Sequence, residues 1–136
     1  SGKITVFTYE EGALSPVQYI ASDTTSGNKR KGSADIHLSS NGKFLYASNR
    51  SKADGIAVFS VHPDDGKLTA VTYQATGLHP RNFIISPNGK YLLCATRNSN
   101  AIQIFAIDSA TGYLQDTGKG IQLPQPVCLQ WVNKLF

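Results

Sequence analysis

The sequence predicts an all-β chain built from four-stranded antiparallel units, and three observations predict it. Val, Ile, Thr, Tyr and Phe recur in short alternating runs, and no stretch carries a useful 3.6-residue apolar period. Turn signals rich in Gly, Asn, Asp and Pro separate those runs. Most telling, "LSSNGKFLYASNR" (38–50) is written a second time as "ISPNGKYLLCATR" (85–97). Aligned on Asn-Gly, residues 34–77 match residues 81–124. Four strand signals per unit, at a period of roughly 45 residues, are the mark of propeller blades and not of a helical solenoid.

Each element follows from local chemistry. A first strand (34–39; 81–86) ends in Ser-Asn-Gly-Lys or Pro-Asn-Gly-Lys, which permits the positive φ of a tight hairpin. A second strand (44–48; 91–96) leads to a polar loop, a third (56–61; 101–107), a Gly-containing turn, and a fourth (68–74; 114–121). "ITVFTYEEGALSPVQYI" (4–20) reads as third and fourth strands alone, and "QPVCLQWV" (125–132) as a first strand alone. The expected organisation is therefore 1–33 as the outer two strands of a partial blade plus a long loop, 34–79 and 80–124 as complete blades, and 125–136 as the inner strand of a closing blade. Propellers close with at least about four blades, so the expected object is part of a ring, inactive and aggregation-prone by itself, with the missing N-terminal blades as its partners.

Composition narrows function. The chain is 40% hydrophobic, 16% charged and carries a net charge of +4. It can bury a core, and its mild positive balance does not argue for nucleic acid. No apolar run approaches a membrane span, and neither a membrane nor a nucleic-acid partner is expected. No signal-peptide pattern stands at Ser1, which by itself says little about compartment; the expected setting is cytoplasmic. Cys94 and Cys128 are expected as free, buried thiols, because disulfide scaffolds are richer in cysteine. No His/Cys/carboxylate spacing reads as a metal site, no cofactor is implied, and no serine stands in a Gly-x-Ser-x-Gly turn.

"SADIHLSSNGKFLYASNR", "PRNFIISPNGKYLLCATRNSNAIQIFAID" and "PQPVCL" resemble the C-terminal blades of the seven-bladed β-propeller lactonase family, of the 6-phosphogluconolactonase type. The resemblance runs across nearly the whole chain, with "ADIH" and "PRNF" its most specific segments. It implies two and a half to three blades of a seven-bladed ring and hydrolysis of a small anionic sugar-phosphate lactone. A fungal branch of the same family closes a muconate lactone instead.

Strand order sorts the loops into two faces. Every arginine falls on one of them, called here the top: Arg30 in the long loop 22–33, Arg50 and Arg97 after second strands, and Arg81 at a first-strand start. Lys29, Lys31 and Lys52 join them, and the loop 22–33 reads as a solvated insert or a flap over a phosphate. Arginine suits bidentate recognition of phosphate or carboxylate. Asp35 and His37 stand two apart on a first strand, so both point the same way, and the sister repeats place Ile84 and Cys128 where His37 stands. A buried imidazole there needs a hydrogen bond, and Asp35 can supply it. His37 is either such a core histidine or, as the resemblance implies, part of a site. On the second reading Asp35 or His37 is the general base and Arg81 holds the oxyanion or the substrate's anionic group. Asn49, Arg50, His79, Asn82 and Arg97 are the expected substrate-binding residues. His62, in a bottom turn, is excluded. The alternative is a non-catalytic propeller that binds a protein or small anion on its top face.

Overall fold

A computed structural model describes residues 2–23, 25, 32–51 and 53–132. Among these described residues, ten strands form three antiparallel sheets. Strands β1 (Lys3–Glu10) and β2 (Ala13–Ala21) pair alone. The next sheet is β3 (Gly32–Leu38), β4 (Phe44–Arg50), β5 (Gly55–Val61) and β6 (Leu68–Ala75), paired in chain order. The last is β7 (Pro80–Ile85), β8 (Tyr91–Thr96), β9 (Ala101–Ile107) and β10 (Leu114–Gln122), again in chain order. These strands lie where alternation and turn chemistry predict them, extended by a residue or two at several ends.

The repeated hairpin is the same object twice. Ser39 Oγ donates to Asn41 Oδ1 (2.7 Å) and accepts the Phe44 amide (2.9 Å), while Asn41 Oδ1 also accepts the Lys43 amide (3.0 Å). Ser86, Asn88, Lys90 and Tyr91 repeat these bonds at 2.6, 3.0 and 3.0 Å. Gly42 and Gly89 both sit at φ +70°, where an L side chain is strained, which is why the turn needs glycine there.

The core lies between sheets. Phe44, Tyr46, Ile56 and Val58 face Phe83, Leu92, Cys94, Phe105 and Leu114 of the next sheet. Ala47, Ala57 and Phe59, on the other side of the same strands, join Ile4 and Leu68. Strands β4 and β5 thus bury both faces, and the two-residue period of a strand assigns alternate side chains to opposite neighbours. Tyr46 Oη donates to Gly112 O (3.0 Å) across the seam, and burial pushes its phenol up to about 12.

Residues 125–132 depart from expectation. They form no strand, because no second strand pairs with them among the described residues. They run beside β7 instead, held by the Leu129 amide on Asn82 Oδ1 (2.7 Å) and Trp131 Nε1 on Ile85 O (2.8 Å). Cys128 is consequently exposed and not buried as expected; Cys94 is buried, and both are free. No described helix is long and apolar enough to cross a membrane, which leaves membrane β-barrels unaddressed.

Candidate active site

Both inner strands begin with a break in register. The β3–β4 ladder slips between Ser33 and Ile36, and the β7–β8 ladder slips between Pro80 and Asn82. Such a slip frees backbone groups and re-aims side chains. It sets Ala34 and Asp35 in one sheet and Arg81 in the next at equivalent places. The Asp35 amide, released from the ladder, donates to Ser48 Oγ (3.0 Å).

Asp35 is the hub. Its Oδ2 accepts Asn82 Nδ2 (2.6 Å), the Phe83 amide (3.1 Å) and His37 Nε2 (3.1 Å), and its Oδ1 accepts the Ile36 amide (2.9 Å). Convergence of donors alone is what a carboxylate satisfies. Oδ2 is saturated, whereas Oδ1 keeps an acceptor position open. Asn82 passes the connection on, since its Oδ1 accepts the Leu129 amide. One carboxylate and one amide therefore stitch β3, β7 and the 125–132 segment together.

An open cleft of about 280 Å³ lies over this network, lined by Ala34, Asp35, Arg50, Arg81, Asn82 and Val127. Arg81 is exposed and makes no hydrogen bond or ion pair among the described residues. Arg50 Nη1 donates to His79 Nε2 (3.1 Å). Larger hollows elsewhere, one of about 670 Å³ beside the β1–β2 hairpin and one of about 410 Å³ against Trp131, lack any convergence of guanidinium and carboxylate groups.

The remaining expected residues divide. His37 is 42% exposed at its side chain, so it is not the buried core histidine, one of its two readings: β7 covers that face of β3 only in part, through Phe83. It bonds Asp35 and meets Phe83 edge-on, with ring centroids 4.9 Å apart, but does not line the cleft. Asn49 is buried (1% exposed) and committed, accepting Ser22 Oγ (2.9 Å) and donating to Ser22 O (2.8 Å). It ties β2 to β4 and has nothing left for a substrate, contrary to expectation. Arg97 stands on a short 3-10 turn (Arg97–Ser99) and donates to Asn98 Oδ1 (3.2 Å) and Gln125 Oε1 (3.3 Å), outside the cleft lining. His79 lies behind Arg50, and burial followed by the Arg50 and Arg97 charges holds its imidazole below the usual range. His62 pairs with Asp65 (3.2 Å) in the β5–β6 turn. Lys29, Arg30, Lys31 and Lys52 lie outside the described residues. Among the described residues no three His, Cys, Asp or Glu side chains group closely enough for a metal ion.

Sequence reasoning missed Ser22 and Ser48, buried hydroxyls that fix Asn49 and the Asp35 amide; nothing in their local sequence distinguishes them from loop or surface serines.

Comparison with known proteins adds a frame. Residues 1–131 match the family described as Lactonase, 7-bladed beta-propeller. A 6-phosphogluconolactonase of Formosa agariphila is 40% identical over 139 residues, covering 99% of this chain and 37% of its own length. A crystal structure from Bacteroides fragilis superposes with a TM-score of 0.91 at 55% identity, covering 97% of this chain and 36% of that one. The periplasmic gluconolactonase of Pseudomonas aeruginosa superposes with a TM-score of 0.90 at 32% identity, covering 98% and 37%. The chain thus spans little more than a third of the length of these relatives.

Proposed function

The chain belongs to the seven-bladed β-propeller lactonase family, and from that premise we propose that it contributes part of the active site of an enzyme that hydrolyses a sugar-phosphate lactone. The observation that carries this reading is the meeting of Arg50, Arg81 and Asp35 around one cleft. Two guanidiniums suit a phosphorylated substrate and the negative charge that develops on an ester carbonyl. A carboxylate with a free acceptor position suits a proton from attacking water.

The steps follow from these roles. The lactone's phosphate sits against Arg50, whose guanidinium is already anchored. Water hydrogen-bonded to Asp35 Oδ1 attacks the carbonyl carbon and gives up its proton there. Arg81, with no partner among the described residues, follows the charge forming on the carbonyl oxygen. Collapse of the tetrahedral intermediate breaks the acyl C–O bond, and the ring oxygen leaves as an alcohol after taking the proton back. His37 holds Asp35 by its Nε2–H and does not touch the substrate. The phosphate is the finer part of the proposal, because one relative is named a gluconolactonase and another a 6-phosphogluconolactonase.

The same reading assigns the partners. The remaining blades of a closed ring would cover the apolar side chains that β1 and β2 leave open, among them Tyr9 (72% exposed), Tyr19 (66%) and Leu14 (64%). They would also supply a strand to pair with residues 125–132. Nucleic acid and membrane have no place in it, and two free thiols fit a cytoplasmic location. The test uses the complete propeller that carries these residues, with 6-phosphogluconolactone and acid release as the readout. It should outpace spontaneous opening, and Arg81→Ala should lower kcat/KM by about 10²–10³-fold, the scale for removing an oxyanion donor. Hydrolysis no faster than buffer overturns the proposal, and so does an Arg81→Ala enzyme of full activity.

A further inference from the structure

His79 is held more firmly than a surface loop residue needs to be. Its amide donates to Asp54 Oδ1 (2.8 Å), its carbonyl accepts the Arg97 amide (3.1 Å), and its Nε2 meets Arg50 Nη1 (3.1 Å). These contacts come from the loop before β5, the turn after β8 and the end of β4. They keep the backbone at φ +61°, a left-handed conformation that few residues other than glycine adopt and that persists where surroundings enforce it. A guanidinium has donors only, so the Nε2 it meets must offer a lone pair, and the ring proton of the neutral imidazole then sits on Nδ1. Burial favours that neutral form first, and the positive neighbours Arg50, Arg97 and Arg81 add to it by disfavouring a charged ring, with Asp54 alone among the facing groups opposing them.

Resting on the lactonase reading, we propose that His79 is a positioning residue that works through Arg50: its Nε2 lone pair fixes the guanidinium at the wall of the cleft so that the anion meets a pre-aimed donor. A flexible arginine must be ordered when the anion arrives, at a cost in affinity, and an arginine already bonded to a rigid acceptor avoids much of that cost. His79 itself does not touch substrate, as its absence from the cleft lining indicates.

The experiment is a double-mutant cycle in the complete propeller, with inorganic phosphate affinity by calorimetry and steady-state kinetics on 6-phosphogluconolactone. His79→Ala should weaken phosphate by about tenfold, the scale of one charge-assisted hydrogen bond, and raise KM by a similar factor with kcat retained. His79→Gln, whose side-chain oxygen can accept from Arg50, should stay within about twofold of the parent on the same scale. On an Arg50→Ala background, His79→Ala should add nothing. Nitrogen-15 NMR should find the Nδ1–H tautomer. Additive effects of the two substitutions, a Gln variant as weak as Ala, or an Nε2–H tautomer each overturn the inference. Phosphate binding and the tautomer are read without turnover, so they decide this point even if the lactone reading fails. Conversely, loss of activity in Arg81→Ala with an additive His79–Arg50 cycle sinks this inference alone.

Discussion

Replacing Asp35 with alanine removes the acceptor for four donors at once, Asn82 Nδ2, the Phe83 and Ile36 amides and His37 Nε2, and their surroundings set the consequence. Phe83 is fully buried and its N–H, 3.1 Å from Asp35 Oδ2, has no route to water. A buried donor left unpartnered costs about 1–3 kcal/mol, and a hydrogen bond to a charged group contributes about 1.5–3. Asn82 is half-buried, so solvent recovers part of its loss, and the exposed His37 and Ile36 are rehydrated at almost no cost. Taking Phe83 in full and Asn82 at about half gives about 3 kcal/mol, carried by the seam between β3 and β7. Asp35→Asn, which keeps one acceptor oxygen, should lose about half of that. Native-state hydrogen exchange reads the seam directly: the Phe83 amide should exchange about 10²-fold faster in Asp35→Ala. An unchanged Phe83 exchange rate in that variant would refute the reasoning, because it would mean the carboxylate carries none of the contact between sheets.

Two further outcomes are expected. Asn49→Ala strands the buried Ser22 carbonyl, while the Ser22 hydroxyl keeps Ser33 Oγ (2.6 Å), and should destabilise by about 1–3 kcal/mol in urea titration with the lactone KM unmoved; a raised KM at unchanged stability would return Asn49 to the substrate. With a thiol-reactive chromogen at pH 8, Cys128 should react at once, while Cys94, whose thiol burial pushes up to about 12, reacts only after denaturation. Rapid titration of both thiols in the native protein would contradict the packing of β8.

Much of the fold was legible because turns and alternation are local. Ser-x-Asn-Gly-Lys determines its hairpin within five residues, so strand limits near 39–44 and 86–91 follow from sequence alone. The clustering of Arg50 and Arg81 was legible too, since counting strands says which loops share a face. Asn49 was not. Alternation separates inside from outside only where one face meets solvent, and β4 is covered on both sides, burying Tyr46, Ala47, Ser48 and Asn49 in succession. Its polarity therefore said nothing about the cleft. His37 misled for a different reason, because β7 stands against it through Phe83 yet covers only part of the ring, and a first-strand position does not say how much is covered. The tie from His79 to Arg50 joins loops far apart in sequence, and no motif announces a left-handed histidine.

The duplicated serine–asparagine turn carries a consequence for how such a molecule comes into being. Every sheet here is filled in the order in which the ribosome delivers its strands, and each hairpin is closed by bonds spanning only a few residues. Nucleation is thus cheap and repeated, and each finished blade offers the next a template on which to condense. Synthesis can proceed as bricklaying, with the slow, long-range event postponed to one final act: the meeting of first and last courses around the ring.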